Sequence, residues 1–319
     1  MHAAVLHALG GAPRYEEFPD PVAADGEVMI EVSAAALKPV DKQMAAGSHY
    51  ASPKTLPAIC GTDGVGRLSD GRRVFFAGLR PPYGTMAERA AARRMFTFAI
   101  PDNLRDELAA AIVNPGVSAW LTLALRAKVA VGESVLILGA TGVTGRLAIR
   151  FAKLLGAARV VAAGRNRSAL AALHELGADA TIELDLPAGE LSDRFAHEAG
   201  EAGFQVVIDY VWGAPAEAFL QAVTRKEFAA AESETRYVQV GESAGATIMF
   251  PAAVLRSTPI VIMGTAGIPS RDVLVDAMQK VMTHAASREL DVETERVPLA
   301  EIEAAWQREQ RGRRIVIVP

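Results

Sequence analysis

The sequence is poor in cysteine, with Cys60 alone among 319 residues, and it lacks an excess of basic residues. A single thiol excludes an internal disulfide and a cysteine-rich zinc lobe. With 33 Lys and Arg against 37 Asp and Glu, the net charge of −4 gives no general attraction to nucleic acid. No apolar run is expected to cross a bilayer, and the segment 1–6 is too short for a secretory signal. We therefore expect a cytoplasmic protein that acts on a small molecule, without nucleic-acid or membrane partners.

Residues 135–166 join an apolar strand, a glycine-rich turn, a helix and a second apolar strand. This order of elements is typical of a dinucleotide-binding βαβ unit. The alternative is a glycine-rich turn with a structural role only. Glycines at every third position permit a tight turn, close approach of backbone N–H groups to a pyrophosphate and close packing of helix on strand. The candidate cofactor contacts here are Gly139, Ala140, Thr141, Gly142, Val143, Thr144 and Gly145. The apolar face of the helix is predicted to contain Leu147, Ala148, Phe151, Leu154 and Leu155.

The second strand is predicted to end where enzymes that select NAD carry an acidic residue for the ribose 2′-hydroxyl. This chain has no carboxylate there and reads Gly164, Arg165, Asn166 and Arg167. An arginine can hold a 2′-phosphate by bidentate hydrogen bonds, so these four residues are candidate contacts and NADP(H) is the favoured cofactor. The alternative is that both arginines are solvated loop charges.

The first hundred residues are predicted to form a β-rich, barrel-like domain, because apolar residues alternate with their neighbours and glycine and proline recur. The alternating residues are Val28, Ile30 and Val32 with Glu27, Met29 and Glu31. Beyond Asp106 the pattern is helical and then alternates strand with helix, which predicts a doubly wound α/β Rossmann domain. Its later strands are predicted at 206–209, 237–240 and 260–264, and the strand at 315–318 is expected to return to the first domain. We place one domain at 1–118 plus 266–319 and the Rossmann domain at 119–265.

Several spaced motifs cover nearly the whole chain. They are Lys38-Pro39-Val40-Asp41 with Gly47 to Tyr50, Gly61-Thr62-Asp63-Gly64-Val65-Gly66, Asn114-Pro115-Gly116-Val117-Ser118-Ala119-Trp120, GATGVTG from Gly139, and the closing GRRIVIVP. In this order and spacing the chain resembles the medium-chain dehydrogenase/reductase superfamily, and within it the zinc-free quinone oxidoreductase group. The resemblance implies a GroES-like catalytic domain beside the Rossmann domain and NADPH-dependent hydride transfer to a quinone or conjugated enone.

The positions that hold zinc in zinc-dependent relatives carry different residues in this chain. Lys38, Thr62 and Asn114 stand there, and none of them is a customary zinc ligand. Without a Lewis acid, alcohol oxidation loses its main electrostatic support, whereas reduction of an electron-poor acceptor needs less help. We therefore expect no metal and an activated acceptor.

The candidate catalytic residues are Tyr50, Lys38, Asp41 and Tyr83. A proton must reach the reduced acceptor, and Tyr50, Tyr83, Lys38 or water could donate it, with Tyr50 favoured because similar enzymes place this position near the nicotinamide. Lys38 matches a common asparagine of the quinone reductases. It could bind a substrate carbonyl or a cofactor ribose, or it could form a salt bridge with Asp41 or Asp63.

Further contacts follow from the resemblance and from strand ends. Asn114 and Ser118 are candidate nicotinamide contacts, against helix N-terminal capping or polar packing, and Gly241 and Gly264–Gly267 follow strands. The resemblance also implies a homodimer with Ile260 to Met263 near the interface, against burial in the monomer. Two other functions remain open: an NADPH-binding interaction protein with little turnover, and a zinc-free reductase of acyl thioesters or small aldehydes.

Overall fold

The structure, a computed structural model, describes residues 1–224, 234–265, 269–309 and 312–319. It divides into two compact units. The first unit comprises Met1–Asn114 and Met278–Pro319, and the second comprises Pro115–Ala277. The first boundary between the units lies four residues before the expected boundary at 118/119, and the second lies twelve residues after the expected boundary at 265/266. Ala266 and Gly267, which were expected to follow a strand at the cofactor site, lie outside the described residues.

Strands dominate the first unit. They are β1 His2–Leu6, β2 Arg14–Glu17, β3 Glu27–Ala36, β4 Ala58–Ile59, β5 Asp63–Leu68, β6 Arg73–Ala77, β7 Arg89–Arg93, β8 Thr97–Ala99, β15 Thr294–Pro298 and β16 Arg314–Val318. One sheet has the order β2-β1-β4, and a second has the order β15-β16-β3-β5-β6-β8 with β7 also paired to β3. Strand β16 is antiparallel to β3, which confirms that the strand at 315–318 returns to the first part of the chain.

The second unit holds one parallel sheet. Its strands are β9 Ser134–Leu138, β10 Arg159–Gly164, β11 Ala180–Glu183, β12 Val206–Asp209, β13 Thr235–Gln239 and β14 Ile260–Gly264. Their order is β11-β10-β9-β12-β13-β14. The order reverses between β9 and β12, so a doubly wound Rossmann sheet, as predicted, is confirmed. The fifth strand begins two residues before, and ends one residue before, the predicted 237–240.

The helices are α1 Pro39–Ala46, α2 Asp106–Trp120, α3 Val143–Leu154, α4 Arg167–Ala171, α5 Ala188–Ala199, α6 Gly213–Val223, α7 Ala252–Ser257, α8 Arg271–Ala286 and α9 Ile302–Gln307. A π-helical segment, Leu121–Arg126, continues α2, and 3-10 turns lie at Arg94–Phe96, His174–Leu176 and Leu299–Glu301. On α3, Leu147, Ala148 and Phe151 are buried as predicted. Leu154 is 47% exposed, because it is the last residue of α3 and the chain turns at Gly156 towards β10.

Helix α2 bears on the expectation that no apolar run crosses a bilayer. The helical stretch Asp106–Arg126 is long and apolar enough to cross a membrane by length and composition. However, 67% of its most apolar stretch is buried inside the protein, as in the core helix of a folded domain. Its apolar character therefore reflects packing in the core, where Ile112 and Val113 are fully buried.

Candidate functional site

The glycine-rich turn after β9 is shaped by contacts that exclude side chains. Gly139 has φ +84°, and the N–H groups of Gly139 and Ala140 both donate to the Ala163 carbonyl at 2.9 Å. A Cβ at Gly145 would lie 2.5 Å from the Gly139 oxygen, so only glycine allows α3 to pack this closely on the turn. At Gly142 the nearest atom to such a Cβ is 3.5 Å away, and no side chain caps the start of α3 there. The first N–H groups of α3 are therefore available to an anion.

A cavity of about 200 Å³ lies against this turn. Its lining residues come from the carboxyl ends of β9 to β13 or the segments that follow them: Gly139, Thr141, Gly142, Gly164, Arg165, Leu184, Val211, Pro215, Ser243 and Ala244. This edge, where the strand order reverses, is where doubly wound sheets bind dinucleotides. The buried Asp209 carboxylate fixes one wall, since it accepts hydrogen bonds from the Val211 and Trp212 N–H groups at 2.7 and 2.9 Å. The cradle fits the phosphates of a dinucleotide.

The three polar residues after β10 have different surroundings. Arg165 is exposed and lines the cavity. Asn166 caps α4, since its side-chain oxygen accepts from the Ala169 N–H at 3.1 Å. Arg167 donates to the Glu183 carboxylate from Nε and Nη2 at 3.0 and 2.8 Å and does not line the cavity. Of the two arginines, Arg165 is the one that lines the cavity.

The other predicted cofactor contacts are more scattered. Ala140, Val143 and Thr144 belong to the glycine turn and the first turn of α3, with Val143 buried. Gly241 packs on the chain after β12, because a Cβ there would lie 2.7 Å from the Tyr210 oxygen. The Gly264 carbonyl accepts from the Arg126 guanidinium at 2.6 and 2.9 Å. Ser118 is half-buried within α2.

Asn114 lies in the interior of α2, so N-terminal capping is excluded for it. Its side-chain amide donates to the Asp63 carboxylate at 2.9 Å. This contact joins Asn114 to a polar cluster of the first unit, as the polar-packing alternative expects. The cluster comprises Lys38, Asp41, Thr62, Asp63 and Asn114.

Lys38 is the centre of this polar cluster. The ammonium lies 3.1 Å from the Ala36 carbonyl, 3.3 Å from the Asp63 carboxylate and 3.4 Å from the Asp41 carboxylate. Lys38 is only 3% exposed, and the salt bridges left open by the sequence are both present. Its position follows from local structure: the Lys38 N–H donates to Asp41 at 2.8 Å across the first turn of α1, with Pro39 as the first helical residue.

In this cluster, attraction between Lys38 and the two aspartates opposes the cost of burying their charges. Burial lowers the pKa of Lys38, but attraction to Asp41 and Asp63 outweighs burial and the pKa is raised overall. Burial raises the pKa of the Asp41 carboxyl, although Lys38 opposes this change. Arg314 adds a second buried cation, whose guanidinium donates to the Leu37 carbonyl at 3.2 Å. In the described chain, no group of three His, Cys, Asp or Glu side chains is arranged to hold a metal ion.

A second cavity, of about 280 Å³, lies wholly within the first unit beside this cluster. Asp41, Cys60, Thr62 and Tyr83 are the lining residues with titratable or hydroxyl side chains. The remaining lining residues are apolar or glycine: Leu6, Met44, Ala45, Ala51, Pro53, Ala58, Ile59, Gly61, Gly78, Leu79, Pro81 and Pro82. An apolar cavity with a few convergent polar groups is typical of a small-molecule site.

The structure separates the predicted catalytic residues. Asp41 and Tyr83 line the cavity, whereas Lys38 contacts Asp41 and does not line the cavity. Tyr50 is 95% exposed and does not line the cavity. Its ring centroid lies 4.0 Å from that of His49, with the two rings tilted by 33°. The catalytic candidates predicted from the sequence did not include Thr62, whose hydroxyl contacts the carboxylates of Asp41 and Asp63. Its position next to Asp63 in the Gly61–Gly66 motif was the signal that could have identified it. Ser243 and Ala244, two and three residues after Gly241, were missed at the cofactor cavity.

Comparison with known proteins gives a family match, curated relatives and solved structures. The profile of the family described as zinc-binding dehydrogenase matches residues 143–280, a range that does not contain Lys38, Thr62 or Asn114. A probable NADPH-dependent quinone reductase from Emericella nidulans is 30% identical over 100% of both chains. A 2-methylene-furan-3-one reductase from Solanum lycopersicum is 32% identical over 50% of this chain and 45% of its own. The quinone oxidoreductase from Thermus thermophilus, also solved with NADPH, has a TM-score of 0.80 and 28% identity over 100% of both chains.

The parallel Rossmann sheet, the β-rich unit and the glycine cradle define a dinucleotide-dependent oxidoreductase of the medium-chain type. Within that class, the full-length match to a probable quinone reductase indicates the quinone oxidoreductase group. The chain belongs to the medium-chain dehydrogenase/reductase superfamily, in its quinone oxidoreductase group, and the family predicted from the sequence motifs is confirmed.

Proposed function

We propose that this protein is an NADP(H)-dependent reductase of quinones or conjugated enones that works without zinc. The observation that carries the proposal is the contact set of Lys38, Asp63 and Asn114. At the positions where zinc-dependent relatives place metal ligands, a buried ammonium and an amide both bind one carboxylate. These groups satisfy one another without a metal, and an ammonium would repel one.

NADP(H) is the cofactor of this site. The glycine cradle suits its pyrophosphate, Arg165 lines the same cavity, and the full-length relative is NADPH-dependent. When bound, NADPH supplies a hydride. The second unit would hold the phosphates through the first N–H groups of α3, and the Arg165 guanidinium would hold the 2′-phosphate.

The acceptor class is supported by two considerations. The full-length relative is a quinone reductase, and the tomato relative acts on a methylene-furanone, which is a conjugated enone. The cavity of the first unit is mainly apolar and offers few polar groups, which suits an acceptor that is already electron-poor. Tyr50, Tyr83, Lys38 and Asp41 remain the predicted catalytic residues, to be tested by substitution.

A homodimer and a cytoplasmic location belong to the same proposal. Strand β14 is the edge of the described sheet, and Val261 on it is 39% exposed. A free edge with an apolar side chain suits pairing with a second copy. Light scattering coupled to gel filtration measures the mass directly, and a monomer would remove this part. The single cysteine supports the location.

The test is NADPH oxidation by chelator-treated protein against quinones, enones, acyl thioesters and aldehydes, with NADH in parallel. We expect turnover of quinones or enones that survives chelation and prefers NADPH. NADPH oxidation only with acyl thioesters or aldehydes would favour the alternative of a zinc-free reductase of those compounds. Tight NADPH binding with no consumption would favour an interaction protein.

A further inference from the structure

Thr62 occupies an unusual place between two buried acids at the wall of the first-unit cavity. Its hydroxyl oxygen lies 2.9 Å from Asp63 Oδ2 and 3.2 Å from Asp41 Oδ1. A hydroxyl has one proton to donate, so it can serve only one of these two oxygens at a time. The second contact is a hydrogen bond only when the carboxyl opposite carries a proton and donates it to the threonine oxygen.

The surrounding contacts decide which carboxyl that is. Asp63 Oδ2 already accepts from the Asn114 amide at 2.9 Å, and Asp63 Oδ1 faces the Lys38 ammonium, so both oxygens are supplied with donors. Asp41 Oδ2 likewise faces Lys38, through its N–H at 2.8 Å and its ammonium at 3.4 Å. Among the described residues, the hydrogen-bond partner of Asp41 Oδ1 is the threonine hydroxyl. A proton on Asp41 Oδ1 therefore gives the order of donation Asp41 to Thr62 to a further acceptor.

We propose that Thr62 is the catalytic proton donor to the acceptor oxygen and that Asp41 supplies the proton to Thr62. The assignment rests on the proposed function, because it needs an acceptor bound in the first-unit cavity. Asp41 and Thr62 both line that cavity, so an acceptor oxygen placed beside Thr62 can take the place of Asp63 as the partner of its hydroxyl. Burial raises the pKa of Asp41, which favours the protonated carboxyl that this order requires.

The step balances in protons and electrons. Hydride addition brings two electrons to a quinone or enone and leaves negative charge on the acceptor oxygen as a quinol monoanion or an enolate. The Thr62 O–H bond breaks as a new O–H bond forms at that oxygen. The Asp41 O–H bond breaks in the same event and restores the threonine hydroxyl, which avoids a threonine alkoxide. The Asp41 side chain has no solvent exposure, so after the product leaves it regains a proton through the half-buried Thr62 hydroxyl, which takes one from solvent as it passes its own to Asp41.

The other polar residues of the cavity are poorer donors. The Tyr83 hydroxyl lies 3.4 Å from the Asp20 carbonyl at the surface, and its ring packs edge-on against Phe18. Burial raises the pKa of the Cys60 thiol to about 12, so the thiol is a weak acid and a poor proton donor. Thr62 alone among these side chains contacts a buried carboxyl that can resupply it.

The lining also defines the acceptor class. Within the described residues, no lysine, arginine or histidine lines this cavity, so it offers no cation for a phosphate or carboxylate. At about 280 Å³ it lies near the lower end of the roughly 300–1,000 Å³ usual for ligand pockets. We expect a small uncharged carbonyl compound, with the reacting oxygen against Thr62 and the carbon skeleton against Ile59 and Leu79.

The experiment compares Thr62→Val, which keeps the shape and removes the hydroxyl, with Thr62→Ser, which restores a hydroxyl. Steady-state kinetics use NADPH with 1,4-naphthoquinone and with a cyclic enone, in H₂O and in D₂O. We expect Thr62→Val to lower kcat about 100-fold while the acceptor KM changes less than about threefold, because a positioned general acid contributes at least about this factor. The loss should be larger in D₂O, and Thr62→Ser should recover most of the rate.

The matched control is Thr85→Val, because the Thr85 hydroxyl is buried in the same region, donates to the Asp63 carbonyl at 2.9 Å and does not line the cavity. Calorimetry with 1,4-naphthoquinone in the absence of NADPH measures acceptor binding, and thermal melting measures folding. Equal kcat in wild type and Thr62→Val would overturn the assignment, as would equal losses in Thr62→Val, Thr62→Ser and Thr85→Val. If wild type reduces no member of the acceptor panel, the proposed function itself fails and takes the assignment with it.

Discussion

The Lys38 ammonium lies 3.3 Å from the Asp63 carboxylate, inside a unit where both side chains are at most 3% exposed. Asp41 approaches the same ammonium at 3.4 Å from the first turn of α1. A buried ion pair gains little over an apolar replacement of the whole group, but removing one partner leaves an uncompensated charge. Lys38 therefore holds together a cluster in which two acids face one cavity-lining hydroxyl.

Replacing Lys38 with methionine tests this balance. Lys38→Met keeps an unbranched side chain and deletes the charge, so we expect the free energy of unfolding at pH 7.5 to fall by about 3–5 kcal/mol. The raised pKa of Asp41 means that its contribution to stability is present below its ordinary range and is lost as the pH rises through the folded-state value. Without the ammonium this loss is larger. Urea unfolding at pH 7.5 and pH 5 should therefore show a smaller deficit at pH 5.

The control for that experiment is the double variant Lys38→Met with Asp63→Asn, which removes the carboxylate that loses its ammonium partner. It should recover part of the stability at pH 7.5. A Lys38→Met protein as stable as wild type at both pH values would show that the ammonium does not compensate the acids.

Arg165 and Arg167 provide a matched pair for cofactor choice. Arg165→Glu puts a negative charge at the cavity that holds the glycine turn, and we expect NADPH binding to weaken about 10- to 100-fold, the scale of a lost charge-assisted hydrogen bond. NADH binding should change less than about threefold, because NADH has no 2′-phosphate. Fluorescence titration of both nucleotides measures the difference.

Arg167→Glu has the same change in charge two residues away, at a side chain that is 84% exposed and paired with Glu183. It should weaken NADPH less than Arg165→Glu does. Equal effects of the two substitutions on NADPH would mean that the local field, and not contact with Arg165, discriminates the phosphate.

The fold was predictable where a local pattern has one physical solution. The spacing of Gly139, Gly142 and Gly145 leaves few alternatives to a strand, a tight turn and a helix, and the structure has all three in place. Lys38 was ambiguous because its partners Asp41 and Asp63 are three and 25 residues away, and only tertiary structure brings both to one ammonium. Thr62 was missed as a catalytic candidate for the same reason. A threonine beside an aspartate is common in sequences, and only the tertiary structure places Asp41 and a cavity next to its hydroxyl.

The glycines of the turn differ in what they exclude, which gives a third prediction. A methyl at Gly145 would lie 2.5 Å from the Gly139 oxygen and 2.6 Å from the Ala140 Cα, whereas one at Gly142 has room at 3.5 Å. Gly145→Ala should lower the free energy of unfolding by about 1–3 kcal/mol, as overpacking does. Gly142→Ala should cost less than about 1 kcal/mol, yet weaken NADPH, because its methyl is at the exposed start of α3 where a phosphate would lie.

Chemical denaturation and NADPH titration of both alanine variants separate the two roles. Loss of stability in Gly142→Ala with normal NADPH affinity would reverse the assignment of packing to Gly145 and phosphate approach to Gly142.

The last prediction concerns Cys60, which is 8% exposed and lines the first-unit cavity. Burial raises the pKa of its thiol from 9.0 to about 12, so at pH 8 the thiolate, the reactive form, is about 1,000-fold scarcer than in the unfolded chain. Iodoacetamide should label the native protein correspondingly slowly. Between pH 8 and pH 10 the native rate should keep rising about tenfold per pH unit, whereas the rate for urea-unfolded protein levels off above its ordinary pKa. Cys60→Ala, which removes the only cysteine, gives the blank. Rapid native labelling at pH 8 would show that the thiol is not held protonated, and an electrophilic acceptor in the same cavity would then alkylate the protein during turnover.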